Sequence, residues 1–123
     1  MKINIIGGGP AGLYFAILMK KIDPAHNINI YERNGPDDTF GWGVVFSGKT
    51  LANLRAADEE SHAEITKQFE AWDNVDVVHG DTKVSIHGNS FSGIARLQLL
   101  KIDRKSTRLN SSHRSLSRMP SSA

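Results

Sequence analysis

Apolar residues open the chain in a short dense run, Lys2–Ile6 (KINII), of the kind that forms a buried parallel strand. Leu13–Ile22 (LYFAILMKKI) follows, with Ala16 and Met19 at helical spacing, which predicts a helix with one face on a sheet. In Asn27–Glu32 (NINIYE), Ile28 and Ile30 alternate with Asn27 and Asn29, so a second strand is predicted. Lys49–Ala57 carries Leu51 and Leu54 on one face and reads as a short helix. The S-x-x-E capping box at Ser61–Glu64 predicts a helix over Ser61–Trp72, with Ile65, Phe69 and Trp72 turned inward. Val75–Val78 and Lys83–Ile86 flank Gly80-Asp81-Thr82 and read as a β-hairpin. Ser92-Gly93 then introduces a helix over Ile94–Ile102, with Ala95, Leu99 and Ile102 apolar. There is no internal repeat.

Between the first strand and the first helix stand Gly7-Gly8-Gly9-Pro10-Ala11-Gly12, at G-x-G-x-x-G spacing. Each glycine of that pattern has its own mechanical role there. Gly7 permits the tight turn, Gly9 lets the backbone approach a diphosphate, and Gly12 lets helix and sheet pack closely. Pro10 suits the first helical turn, where its missing N–H costs nothing. The free amides and positive end of the helix then face the phosphates. Glu32, twenty positions beyond Gly12 at the end of the second strand, can accept hydrogen bonds from an adenosine ribose and would repel a 2′-phosphate. The fold class expected is α/β: a Rossmann-like βαβ with a β-hairpin addition, part of a truncated doubly wound parallel sheet.

Composition narrows the chemistry. A chain of 123 residues has room for one small domain, and with no cysteine it has neither disulfides nor a thiolate metal site, which suits a reducing cytoplasm. No apolar stretch approaches bilayer length, and no leader precedes the first strand, so no membrane partner is expected. His26, His62, His79 and His87 share no metal-ligand spacing and read as solvated, as does Glu59-Glu60. No Ser-His-Asp arrangement stands out, and Ser47 lacks a nucleophile elbow, so any chemistry must come from a bound dinucleotide.

The net charge of +2 is unevenly placed: residues 1–102 carry −2 and residues 103–123 carry +4. At face value the serine-rich segment Asp103–Ala123 is a disordered basic tail for nucleic acid or a membrane surface. However, Asp103–His113 (DRKSTRLNSSH) and Ser117–Ala123 resemble, codon by codon, the translated constant parts of a short-read sequencing adapter. A variable index would supply Arg114, Ser115 and most of Leu116. The expectation is a non-native tail with no role, after which the natural protein continues differently, and no nucleic-acid partner. Genomic DNA read across codon 102 separates the two readings.

Phe40–Ser47 (FGWGVVFS) places two glycines around a tryptophan. Two readings stay open: a backbone lying against something flat or bulky, or a glycine-bulged edge strand that packs Trp42 into the core.

The order GGGPAGL, ERN, FGWGVVFS and FSGIARLQLL resembles the N-terminal part of flavoprotein aromatic hydroxylases, the single-component FAD-dependent monooxygenases. PDDTFGWGVVFS is most similar to the flavin domain of the anthraniloyl-CoA and salicylyl-CoA monooxygenases, with a weaker likeness to tryptophan-pigment pathway hydroxylases. The likeness covers residues 1–102. It implies that Gly7, Gly9, Pro10, Ala11 and Gly12 hold the FAD diphosphate, that Glu32 binds the ribose and that Arg33 lies along the adenine. It also implies that Gly41, Trp42, Gly43 and Val44 pass beside the flavin, and that Arg96 reaches the phosphates rather than being a solvated helix arginine. The activity implied is hydroxylation of an aromatic ring, borne by a small molecule such as an aminobenzoyl- or salicylyl-CoA thioester, with NAD(P)H and O2. The second and third flavin fingerprints of such enzymes are not in this sequence.

Two other readings compete. The same βαβ serves nicotinamide-binding reductases, against which stand Arg33 beside Glu32 and the lack of a simple third strand. Alternatively, the chain as it stands is a non-catalytic stub whose uncovered strand edges and helix faces give weak or no FAD retention and aggregation.

Overall fold

The computed structural model describes residues 1–109 and 116–117, a mixed α/β chain that divides into two compact units. The first comprises residues 1–42 and the segment from Arg96 onward; the second is Gly43–Ala95.

In the first unit, β1 (Lys2–Ile6) and β2 (Asn27–Tyr31) lie parallel, with Lys2 opposite Asn27 and Ile6 opposite Tyr31. They are joined by α1 (Pro10–Ile22). A parallel pair requires such a crossover, because the chain must return to the starting edge. α1 begins with Pro10 in its first turn and ends on Lys20 and Lys21, which suit the negative end of the helix dipole. Leu13 and Ala16 from α1, Ile28 and Ile30 from β2, and Leu100 form one buried cluster, with Ile3, Ile5 and Met19 packed on it. The core therefore sits on one face of the sheet. On the other, Asn29 donates to Asn4 at 3.0 Å; Asn4 is exposed and Asn29 half-buried.

That arrangement corrects the reading of Lys2–Ile6 as a buried strand. The strand forms, but its burial alternates and Ile6 is 73% exposed, because helices cover only one face.

A second correction concerns the chain after Ser90. β7 (Phe91–Ala95) is a strand, and α4 (Arg96–Leu109) starts later and runs further than the helix read over Ile94–Ile102. Residues 103–109, expected to be disordered, are helical, and β8 (Leu116–Ser117) pairs in parallel with β2. Leu99 and Leu100 seat α4 against the core, and helix once nucleated propagates at little cost per residue. The rest of the expected disordered tail, 110–115 and 118–123, lies outside the described residues.

In the second unit, β3 (Gly43–Ser47) and β4 (Glu70–Trp72) flank β7 antiparallel. β5 (Val75–His79) and β6 (Thr82–Ile86) form the expected hairpin, turning at Gly80 with φ +57°. α2 (Gly48–Ala57) matches its reading and is capped by Ser47, which accepts from the Thr50 amide at 3.2 Å. α3 is shorter than expected, Glu59–Thr66, and its cap is Asp58, not Ser61. The Asp58 carboxylate accepts from the Ser61 amide at 3.1 Å, while the Ser61 hydroxyl donates to the Asp58 carbonyl. A carboxylate is a favourable cap at the positive helix end, and Asp58 supplies it one residue before Glu59. The Phe69–Trp72 stretch leaves the helix for β4. There Trp72 stacks on Phe91 at 6.3 Å between ring centroids and lies over Gly93, whose added Cβ would meet the indole at 3.2 Å.

Candidate functional site

The first unit brings the glycine loop and the end of β2 together through its own hydrogen bonds. Gly7, with φ +100°, makes the turn off β1 that a side chain would strain, and its amide donates to the Tyr31 carbonyl at 2.8 Å. The Gly8 amide donates to Glu32 Oε2 at 2.7 Å. Gly9 caps α1, and a Cβ there would meet nothing within 4 Å, so the space above it is open. At Gly12 the case is opposite: a Cβ would come to 2.5 Å from the Gly7 carbonyl oxygen and 3.1 Å from Ile5 Cγ2. Pro10 and Ala11 complete the first turn, which has no side-chain cap and no acidic residue. The positive helix end is thus left to whatever lies above Gly9.

Glu32 is held from two sides. Besides the Gly8 amide on Oε2, Oε1 accepts from the Asn34 amide and from Asn34 Nδ2, each at 2.8 Å. The Asn34 amide, with the Gly8 amide and the Asn34 side chain behind it, holds the Glu32 carboxyl below its ordinary value, against partial desolvation. A carboxylate offers about four acceptor positions. The Asn34 and Gly8 contacts occupy both oxygens in part and the Arg33 amide adds to them, so a ligand hydroxyl would share the carboxylate with these donors.

Around this carboxylate opens a cleft lined by Gly8, Gly9, Asn34, Thr39, Phe40 and Arg96 among others. Thr39 Oγ1 is buried in its wall with no hydrogen-bond partner among the described residues. An orphaned hydroxyl in a cleft wall marks a place for a polar ligand atom. The far wall is the turn Gly35–Asp38, closed by Asp38 Oδ2 accepting from the Gly35 amide at 2.6 Å. α4 ties that turn down: Lys101 pairs with Asp37 at 3.2 Å, and Arg104 donates to the Pro36 carbonyl.

Of the residues singled out from the sequence, Gly7, Gly9, Pro10, Ala11, Gly12, Glu32 and Arg96 share this neighbourhood, and the Arg96 amide donates to the Trp42 carbonyl at 3.2 Å. Arg33 is exposed and does not line the cleft; its neighbour Asn34 does. Gly41 turns the chain with φ +88°, and Trp42 is 98% exposed, which corrects the reading that packs Trp42 into the core. Gly43 and Val44 belong to the second unit as the start of β3, an edge strand. Sequence reasoning missed Gly8, Asn34 and Thr39. A Cβ on Gly8 would meet Glu32 Cβ at 3.1 Å, so this glycine is required by the acid and not by a ligand. Its place between two motif glycines was the available signal.

Among the described residues no group of acidic, histidine or cysteine side chains could hold a metal ion. No helix among them is long and apolar enough to cross a membrane.

No family model matches the chain. It is 42% identical to salicyloyl-CoA 5-hydroxylase of a Streptomyces species over 103 residues, 83% of this chain and 20% of that protein. It is 30% identical over 105 residues to 3-hydroxy-4-methyl-anthranilyl-[aryl-carrier protein] 5-monooxygenase of Streptosporangium sibiricum, 85% of this chain and 30% of that protein. Over 49 residues it is 49% identical to protodeoxyviolaceinate monooxygenase of Chromobacterium violaceum, 40% of this chain and 13% of that protein. The chain thus spans a fifth to under a third of the first two relatives. Its fold is similar to solved 2-methyl-3-hydroxypyridine-5-carboxylic acid oxygenase, with a TM-score of 0.78 at 19% identity over 94% of this chain and 31% of that one. The resemblance to aromatic hydroxylases read from the sequence is borne out by these relatives.

Proposed function

We propose that this chain is the N-terminal, FAD-binding part of a monooxygenase that hydroxylates an aromatic ring, with an aminobenzoyl- or salicylyl-CoA thioester as substrate, NAD(P)H and O2 as co-substrates, and the cytoplasm as its place. One observation carries the reading: a cleft at the tip of β1 in which the glycine loop, an open helix end and a pre-oriented carboxylate converge. The names of the two longest-matching relatives support the substrate class. The βαβ supports the finer fold reading, a Rossmann-like unit of a doubly wound sheet.

The residues present fit the group. The open space above Gly9 suits a diphosphate, the Glu32 carboxylate suits a ribose hydroxyl, and the orphaned Thr39 hydroxyl suits a further polar atom. When bound, FAD would supply the electron transfer and oxygen activation that no side chain here provides. The chain's own residues bind and orient. Gly7 and Gly12 set the bend, and the amides behind Pro10 and Ala11 face the diphosphate. Asn34 and Gly8 fix Glu32, and Arg96 offsets phosphate charge from the start of α4. Trp42 and Phe40 present exposed rings that a flat ligand would cover.

Flavin fluorescence titration of the full chain, with NAD as competitor, tests the assignment. FAD is expected to bind weakly, to be displaced by ADP, and to bind more tightly than NAD. Tighter binding of NAD would favour the nicotinamide reductase reading and contradict this one.

A further inference from the structure

The buried face of α4 changes character part-way along. Leu99, Leu100 and Ile102 are buried, and so are Asp103, Ser106 and Thr107. At 3.6 residues per turn these six positions fall on one face, with position 103 near its middle, one turn beyond Leu99 and Leu100. The first three are apolar and the last three polar. Asp103 is the extreme case: it is 2% exposed, its Oδ1 has no hydrogen-bond partner, and it makes no ion pair among the described residues. A buried carboxylate without donors is among the costliest groups to place in a core, and the usual outcome is that it keeps its proton.

We propose that Asp103 occupies a position this fold builds for an apolar side chain, and that α4 stays firmly seated on the core of its unit only while that carboxyl is protonated. The charged groups of the packed elements have other partners. On α1, Lys20 is buried but gives its ammonium to the Pro24 carbonyl at 2.8 Å, and Tyr14 and Lys21 have interactions of their own. On α4, Lys101 pairs with Asp37 and Arg104 holds the Pro36 carbonyl, while Lys105 is exposed to solvent. Tyr31, the titratable side chain of β2, is half-buried. Burial accordingly pushes the Asp103 carboxyl up to about 7.

The inference is independent of the flavin assignment, and it meets the sequence pattern at the same boundary. The stripe turns polar where the adapter-like stretch begins, at residue 103. A helix face selected for this seam would have continued apolar through 103 and 106 or 107.

The sign follows from linkage. A carboxyl whose folded value lies above its unfolded one gives the most stability below the unfolded value, loses it as pH rises towards the folded value, and is level beyond it. The folding equilibrium of the chain is therefore expected to weaken by about two to three orders of magnitude between roughly pH 4 and pH 7 on this account alone. Urea denaturation of the full chain and of Asp103→Leu and Asp103→Asn, followed from pH 4.5 to 8, tests it. Both variants should lose the decline between pH 4.5 and 7 that the parent shows, and Asp103→Leu should have the higher midpoint at pH 7. If the parent has no cooperative transition at pH 7, Asp103→Leu should restore one. A midpoint for Asp103→Leu equal to or below the parent's at pH 7, a decline that persists in both variants, or no transition in any form would overturn the proposal.

Discussion

Gly12→Ala is expected to abolish cooperative unfolding of the first unit. The new Cβ would lie 2.5 Å from the Gly7 carbonyl oxygen and 3.1 Å from Ile5 Cγ2. Neither neighbour can yield cheaply. Gly7 is pinned by its own amide on the Tyr31 carbonyl, and Ile5 belongs to β1 and packs on the core cluster. Overpacking of this kind costs about 1–3 kcal/mol in a well-packed core, and more where backbone has to move. A unit this small, covered on one sheet face, has little stability in reserve. Gly9→Ala supplies the contrast, because a Cβ there meets nothing within 4 Å and the residue's φ of −76° suits any amino acid. Its stability should change by about 1 kcal/mol or less, the range of exposed cap substitutions, while FAD binding is lost because the methyl fills the space above the loop. Circular dichroism melts and flavin titration of the two variants would separate them. Equal stability of both, or unimpaired FAD binding by Gly9→Ala, would show that the loop does not work this way.

Glu32→Gln should weaken ADP and FAD binding about tenfold or more, the loss of roughly one charge-assisted hydrogen bond. The amide cannot match the carboxylate's protein contacts and still accept from a ribose: its NH2 would face the Gly8 or Asn34 donors. Glu32→Asp keeps the charge but not the reach, and should lose the Gly8 contact. The pH behaviour follows from the lowered carboxyl, whose largest cause is the Asn34 amide. Its contribution to stability is present above the ordinary carboxylate value and is lost as pH falls through the folded one. Acid sensitivity below about pH 4 should therefore be milder in Glu32→Gln than in the parent, opposite in direction to the Asp103 effect and in a lower window. Acid titration followed by tryptophan fluorescence, with both variants in hand, resolves the two carboxyls.

How much of this was legible in the chain differs by region. The βαβ could be read because its signals are local and agree: KINII, the glycine run with Pro10, a helix with Ala16 and Met19 on one face, and alternation through Ile28 and Ile30. The hairpin Val75–Ile86 was equally plain, since Gly80 supplies the left-handed turn residue. β7 and β4 were misread because their strand state is decided elsewhere. Phe91–Ala95 pairs on both sides, with Gly43–Ser47 and with Glu70–Trp72, and such pairing overrides the helical leaning of Ile94-Ala95-Arg96-Leu97. The capping box at Ser61–Glu64 misled because α3 already begins at Glu59, with Asp58 as its cap, so Ser61 lies inside the helix with its own amide on Asp58 Oδ2. In the cleft, Glu32 was visible by its spacing. Asn34 and Thr39 were not, because their roles depend on the turn at Gly35–Asp38 folding back over the carboxylate.

The most direct test of the adenosine-diphosphate cleft is amide NMR of the full chain titrated with ADP at millimolar concentration. The Gly8, Gly9, Ala11 and Gly12 signals, together with those of Asn34 and Thr39, should shift in a saturable way while the β5–β6 hairpin signals stay in place. A well-dispersed spectrum in which the glycine-loop amides do not move at saturating ADP, or in which shifts spread evenly over the chain, would contradict it.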